Sequence, residues 1–384
     1  MANMHGHRRH DAATELPHYF LGLPMNTFCF SLGIFLCWAG VSAAAFSAPL
    51  DALLSADTQL NAGERRLELA YDVVNSTLDI LKVRDHDPLY AGSNVGDYSG
   101  AHLRARYQLN DQLTIDGGLW QRGIAFRADT LSLSSWQAAA QYRFFERDYT
   151  TDSSYALRIS AWGDSAGSLA KSTPTTVQGK ILNTLNVNKP SDVQMQADLL
   201  GTWHLDEQTA WTVFAGAGAS RVSVDSMSAT YTSGNGCNYN LFFNAGGSSA
   251  TLAAPCGDLI DASISTPTHV IQELTYAARY YQAGAMLQWH DGDWSVRGGY
   301  HFQYWKRNSV DEIIAGRGGI AYKTNHIVVA EVMRKVGLKS ALFARGQFMN
   351  RQFVGEIPFV YNSLSASKFD HRYGFASVGM VVTF

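Results

Sequence analysis

From about residue 63 onward, apolar and polar side chains alternate with a period of two in segment after segment. This is the pattern of half-buried β-strands. Ala101, Leu103, Ala105, Tyr107 and Leu109 share one face, and His102, Arg104, Arg106 and Gln108 share the other. Asn110-Asp111 supplies a turn, after which Leu113, Ile115, Gly117 and Leu119 alternate with Thr114, Asp116 and Gly118. The two segments predict a hairpin with one apolar and one polar face. The pattern returns with Trp136, Ala138, Ala140, Tyr142 and Phe144 against Gln137, Gln141 and Arg143, and with Tyr155, Leu157, Ile159 and Ala161 against Arg158 and Ser160. It returns again around Val193, Met195, Ala197 and Leu199, and around Trp294, Val296, Tyr300 and Phe302.

The links between these segments come in two kinds. Short ones are expected at 110–111, 146–153, 206–208, 291–293 and 323–325, and long ones at 82–99, 122–133, 163–192 and 223–271. Short turns at one end and long loops at the other predict an all-β fold, a transmembrane antiparallel β-barrel with periplasmic turns and extracellular loops. Aromatic residues agree. Trp203 and Trp211 flank one short turn, Trp289 and Trp294 another, and Phe144, Phe145, Tyr149 and Tyr155 surround a third. Such belts mark the level of the lipid headgroups. Residues 340–364 are expected to add a strand pair, 341–349 and 357–364, with Pro358 tolerated at a first strand position. The expected count is therefore about 14 strands, with about 12 as the alternative.

Composition narrows the class. Charged residues are 16% of the chain, against roughly 25% in soluble domains. The formal net charge of -3 leaves no footprint for nucleic acid. His5, His7, Arg8, Arg9 and His10 precede an apolar run over 28–41, and Ala43-Ala44-Ala45 closes it. Residues 1–45 thus predict a secretory signal peptide, the competing reading being an uncleaved anchor. Residues 46–62 follow as a periplasmic lead-in, and 63–384 as the barrel with extracellular loop 223–271. No second apolar run is long enough for a helix to span, so a mature membrane protein must cross with strands. Cys29 and Cys37 fall in the leader. Cys237 and Cys256 remain as an even pair in an exported chain and predict a disulfide worth about 3 kcal/mol.

The chain ends Tyr373-Gly-Phe-Ala-Ser-Val-Gly-Met-Val-Val-Thr-Phe384, with Phe384, Val382, Met380, Val378 and Ala376 at every second position. This segment resembles the C-terminal strand of Gram-negative outer-membrane β-barrel proteins, and the likeness extends over the chain from about Gly63. The resemblance implies the Gram-negative outer membrane as location, outer-membrane lipids as surroundings, and recognition of Phe384, Val382, Met380 and Val378 by the barrel-assembly machinery. Val378, Met380, Val382 and Phe384 are expected to face lipid, and Tyr373, Phe375 and Ser377 the lumen. The last strand is expected to close against the first, near 67–73.

The polar faces carry Arg104, Arg106, Arg143, Arg158, Arg297 and, in less certain phase, Arg317, together with Glu68, Asp72, Asp116, Asp198 and Glu331. In a barrel these point inward. They either line a pore that sorts solutes by sign, with arginine favouring anions, or pair with one another and fill the interior. Gly163-Asp164-Ser165-Ala166-Gly167 matches the nucleophile-elbow pattern but lacks its strand-to-helix context, so Ser165 is not expected to act as a nucleophile. Asp85-His86-Asp87 with Asp97 is read as a solvated acidic loop rather than a metal site. No cofactor or metal is expected, and the chain is not expected to be an enzyme. Within the long loop, Tyr239, Leu241, Phe242 and Phe243 predict a partner surface if exposed and a plug if buried. The expected function is a porin-like channel for small polar or anionic solutes. The alternative is a non-conducting structural or surface-binding barrel acting through its disulfide-tied loop, and a lipid esterase comes third.

Overall fold

The computed structural model describes residues 60–74, 97–126, 129–146, 153–172, 174–177, 180–253, 256, 270–351, 354–363, 365–366 and 372–384. The predicted signal peptide, nearly all of the lead-in and the Asp85–Asp87 loop lie outside these residues.

In chain order the strands are β1 (Arg65–Val74), β2 (Asp97–Gln108), β3 (Leu113–Phe126), β4 (Asp129–Glu146), β5 (Ser153–Ala166), β6 (Ser168–Lys171), β7 (Thr175–Val177), β8 (Lys180–Asn188), β9 (Ser191–His204) and β10 (Thr209–Ser223). They continue as β11 (Ser226–Thr232), β12 (Asn238–Asn244), β13 (Gly247–Leu252), β14 (Tyr276–Asp291), β15 (Trp294–Arg307), β16 (Thr324–Lys335), β17 (Ser340–Met349) and β18 (Tyr373–Thr383). Two short helices, α1 (Val270–Leu274) and α2 (Val310–Gly316), precede β14 and follow β15.

Twelve strands, β1–β5, β9, β10 and β14–β18, form one closed antiparallel ladder. Closure runs through the chain ends. β18 pairs with β1 from Arg66↔Thr383 to Val73↔Ala376. Beyond the last register pair, Phe384 N donates to Arg65 O at 2.9 Å and Arg65 N to Phe384 O at 3.0 Å. Closure leaves no unpaired edge, which is what a sheet in hydrocarbon requires.

The count is twelve, the smaller of the two expected. Residues 341–349 do form β17, but the proposed partner 357–364 is not a strand: Pro358–Val360 is a 3-10 turn and 354–362 are buried throughout. Two expected links also move. The span 122–133 is mostly strand, because Ile124, Leu131 and Leu133 face a buried interior and carry β3 and β4 on to Phe126 and Asp129. The turn placed at 323–325 is the opposite end of β16, whose short link is 336–339. The remaining short links, 109–112, 205–208 and 292–293, lie with 336–339 and both strand termini at one end.

The barrel is inverted relative to a soluble protein. Leu69, Leu119, Ile159, Met195, Leu199, Leu287, Val328 and Val378 are exposed on its outside, while Glu68, Asp116, Arg158, Asp198 and Glu331 are buried inside. Met380 and Phe384 face outward, and Tyr373 and Ser377 inward, as expected. Exposed Trp211, Trp289 and Trp294 ring the short-turn end, and Trp203 lies opposite Trp211 with ring centroids 6.1 Å apart. On the outer face of β14, Trp289 and the exposed Tyr281 stand eight residues apart. Eight residues span ~27 Å along a strand, or ~20 Å upright at a tilt of ~40°. That approaches the ~25 Å apolar band of membrane barrels.

Two of the long loops merge above the barrel. β6, β7 and β8 come from one, β11, β12 and β13 from the other, and they form a second sheet ordered β13-β12-β11-β8-β6 with β7 also on β8. The join between loops is the β8–β11 pairing, from Ser226↔Asn188 to Tyr231↔Leu182. This sheet has a core of its own, in which Leu182, Leu185, Val187, Met227, Ala229 and Phe243 pack with Val270, Ile271 and Leu274 of α1. Leu241 packs against the same cluster. The apolar residues of the tied segment are therefore neither plug nor largely free surface. Cys237 and Cys256 are disulfide-bonded, with Cα atoms 5.9 Å apart.

Candidate functional site

Many charged side chains converge in the lumen, and strand parity puts them there. At its short-turn half the walls are joined by ion pairs. Arg158 of β5 reaches Asp116 of β3 with two parallel bonds, both 2.8 Å. Arg345 of β17 donates to Glu331 Oε2 at 2.7 Å and to Glu68 Oε1 at 3.1 Å, while Arg297 Nε lies 2.8 Å from Glu331 Oε1. His102 sits between two acids, its Nδ1 2.8 Å from Asp72 Oδ2 and its Nε2 3.1 Å from Glu68 Oε1. Higher up, Asp198 accepts from Gln196 and Gln282, each at 2.5 Å. Charges buried this deeply are tolerated only when paired.

Beside this network lies a cavity of about 330 Å3, its open mouth included, lined by Arg66, Glu68, Arg104, Ala105, Arg106, Asp116 and Arg297. Four guanidinium groups face two carboxylates there. Arg104 and Arg106 stand 3.8 and 4.0 Å from Asp116, whose oxygens both already accept from Arg158. The cavity is therefore net positive. Of the predicted lumen arginines, Arg104, Arg106 and Arg297 line it, and Arg158 braces its wall. Arg143 also occupies an inward position, near the rim end of β4, outside the cavity lining. Arg317 is not lumenal. It follows α2 and donates to Glu273 of α1 at 2.7 and 2.8 Å.

The long-loop half is filled differently. The segment between β17 and β18 turns inward, and Val354, Ile357, Phe359, Val360 and Tyr361 join Trp162, Phe214, Tyr280, Trp305, Ile327 and Met349 in one apolar core. The Tyr280 and Trp305 rings stack 4.3 Å apart. Gly218 of β10 makes room for Tyr280, since a β-carbon there would overlap the phenol ring.

Polar contacts pin this plug to the wall. Asn325 Nδ2 donates to Val354 O at 2.7 Å, and the Tyr276 hydroxyl lies 2.6 and 2.8 Å from the Pro358 and Tyr361 carbonyls. Phe359 N donates to Asp192 at 3.3 Å, and Arg307 stacks over the Tyr361 ring at 4.1 Å. Arg122 of β3 donates to Asp164 at 2.7 Å, to Glu356 of the plug at 3.2 Å, and to Ser135. Burial pushes the Glu356 carboxyl up to about 7, with Arg122 pulling it down and Asp164 pushing it up. One oxygen, Oε2, has no hydrogen-bond partner, so Arg122 compensates it only in part.

Ser165 lies on β5 with Ser134 and Ser191 as its register partners, so no histidine sits directly across from it. Among the described residues no group of three His, Cys, Asp or Glu is arranged to hold a metal ion.

A closed ladder, an apolar outer band between aromatic rings and a charged lumen decide the class. The chain is a β-barrel of the outer-membrane type. No protein-family model and no curated protein matches it. Among solved structures it is similar to the translocator domain of the autotransporter NalP from Neisseria meningitidis, at 11% identity and TM-score 0.45, covering 94% of this chain and 99% of that one. It is also similar to the NanC porin, at 6% identity and TM-score 0.39, covering 83% and 98%. A third is the toluene transporter TbuX from Ralstonia pickettii, at 10% identity and TM-score 0.35, covering 90% and 96%. None of these likenesses carries a function to this chain.

The inward segment 354–361 is the part of the lumen that alternation misses. Its signal was nonetheless present. Val354-Gly355-Glu356-Ile357-Pro358-Phe359-Val360-Tyr361 is apolar without alternating, and carries Gly and Pro where a central strand would not.

Proposed function

We propose that this barrel is a plugged channel of the Gram-negative outer membrane that passes small anions once the β17–β18 segment leaves the lumen. The observation that carries the reading is the net-positive arginine cavity at one end of a lumen whose other end is closed by a loop. The loop is docked through side chains and is not woven into the ladder, so it can leave without breaking a strand pair. In this orientation the short turns face the periplasm and the joined loops face outward, with residues 1–45 as the export signal. No catalysis is assigned.

Conductance across planar bilayers tests it. The wild type should be mostly closed. Replacing 354–366 by a Gly/Ser linker of equal length should give a lasting conductance that favours anions over cations. Adding Arg104→Ala and Arg106→Ala should remove that preference. If the plug-replaced protein still shows the boiling-dependent gel shift of a folded barrel and yet conducts no more than bare lipid, the channel reading fails.

A second reading has one observation in its favour. The β8–β11 pairing and the Cys237–Cys256 bond make a small outward sheet with its own core, which suits a surface-binding barrel. A plug-replaced protein that folds but stays silent would favour it.

A further inference from the structure

The outer wall carries a group of cations at its long-loop rim. Arg221 of β10, Arg279 of β14 and Lys306 of β15 occupy outward positions on three adjacent strands, and all are exposed. Arg279 and Lys306 are direct cross-strand partners. Arg221 pairs with Ala277 and Ala219 with Arg279, so Arg221 is the diagonal neighbour of Arg279. The β-carbons of opposite residues lie about 5 Å apart, and diagonal ones about 7 Å. The three side chains therefore share one patch, and among the described residues no hydrogen bond or ion pair engages any of them.

Without a ligand the closeness of these cations is costly, and their depth says what can neutralise them. Like charges directly opposite on a sheet repel. Cations on the lipid face of a barrel are tolerated only near the interface. Their depth can be read from the same strands. Tyr281 and Tyr304, both exposed, face each other one outward step below the Arg279–Lys306 pair. Tyrosines of this kind mark the headgroup boundary. The cations thus stand about 7 Å further along the strands, at two residues of ~3.4 Å each, where lipid phosphates lie. On the same rim, Gln121, Ser132 and Ser134 of β3 and β4 are neutral and hydrogen-bond among themselves.

We propose that Arg221, Arg279 and Lys306 form a binding site for the phosphate group of a lipid headgroup in the outer leaflet. A phosphate between the strands satisfies three cations that otherwise repel, and the acyl chains continue down the apolar wall below Tyr281 and Tyr304. Planar guanidinium donors suit phosphate oxygens.

The test uses the full barrel in neutral detergent and native mass spectrometry, with three probes: phosphatidic acid, its diacylglycerol parent and inorganic phosphate. Wild type should retain phosphatidic acid and neither of the others. R221A/R279A/K306A should bind phosphatidic acid about a hundredfold more weakly, given about a tenfold loss per 1.4 kcal/mol and near 1 kcal/mol per cation. Arg279→Gln alone should lose about fivefold. The boiling-dependent gel shift confirms that each variant is folded. Equal retention of phosphatidic acid by the triple variant overturns the site. So does equal retention of diacylglycerol by the wild type. Inorganic phosphate binding as tightly as the lipid would make it a free-anion site and overturn the lipid assignment.

Discussion

The two halves of this lumen are filled by different means. Near the short turns, side chains from opposite walls meet in ion pairs, as Arg345 does with Glu68 and Glu331. Near the long loops, a backbone segment folds in and packs as an apolar core around Ile357, Phe359 and Tyr361. The first filling belongs to the ladder itself and cannot leave it. The second is a connecting segment, seated against the ladder by the side chains of Asn325, Tyr276, Asp192 and Arg122. A single chain thus fills one end of its barrel with paired side chains, beside the arginine cavity, and the other end with packed backbone.

The sharpest way to break that comparison is to unpair the rigid half. Arg345→Ala would strand Glu68 and Glu331 without the cation that bonds both. Losing one partner of a buried pair costs about 3–5 kcal/mol. His102 beside Glu68 and Arg297 beside Glu331 hold the expected loss toward the lower figure. Urea unfolding in detergent should show the whole barrel destabilised, with plug-dependent closure unchanged in the protein that remains folded. An unaltered midpoint would mean that water or a neighbouring arginine takes over.

The complementary break is made in the plug. Gly355 has φ +85°, and a β-carbon there would lie 2.5 Å from both Gln303 Oε1 and Trp305 Nε1. Gly355→Ala adds about 1–2 kcal/mol of left-handed strain before any overlap is counted. The expected outcome is the reverse of the first. Global stability should change little, while cleavage of 354–366 by added protease rises at least about tenfold, in line with ~1.4 kcal/mol per factor of ten. Protection equal to wild type would show that the plug is held by more than its seat against Trp305.

The same division explains what was legible in the sequence. Strand parity alone sends Arg104, Arg106, Arg158, Arg297, Glu68, Asp116 and Glu331 inward, and the ladder makes their meeting unavoidable. Parity also places Met380 and Phe384 outside and Ser377 inside. The plug obeys no such period. Residues 354–362 are buried on every side, so strand-like composition there reflects a core and not a sheet. The β8–β11 join was invisible for another reason. It pairs residues of two loops, and nothing in either loop's own sequence names its partner. The same holds for Arg221, Arg279 and Lys306, which become neighbours only once the register is known.

The smallest expected effect distinguishes the two halves by pH. Glu356 is raised from 4.5 to about 7, chiefly by burial. A carboxyl raised in the docked state favours docking fully below its free value near 4.5, and that contribution is lost as pH rises through about 7. Between pH 6 and pH 8 the docking equilibrium should weaken by about tenfold, which is one unit of pKa difference realised over that window. Channel opening or protease access to 354–366 should therefore rise with pH. Glu356→Gln should flatten the profile, because the neutral amide keeps the shape and carries no ionisation to lose. An unchanged profile in the amide variant would move the proton to another group of the wall. A profile that falls with pH would mean that Arg122 outweighs burial at this carboxyl, and that the ionised pair is what holds the plug down.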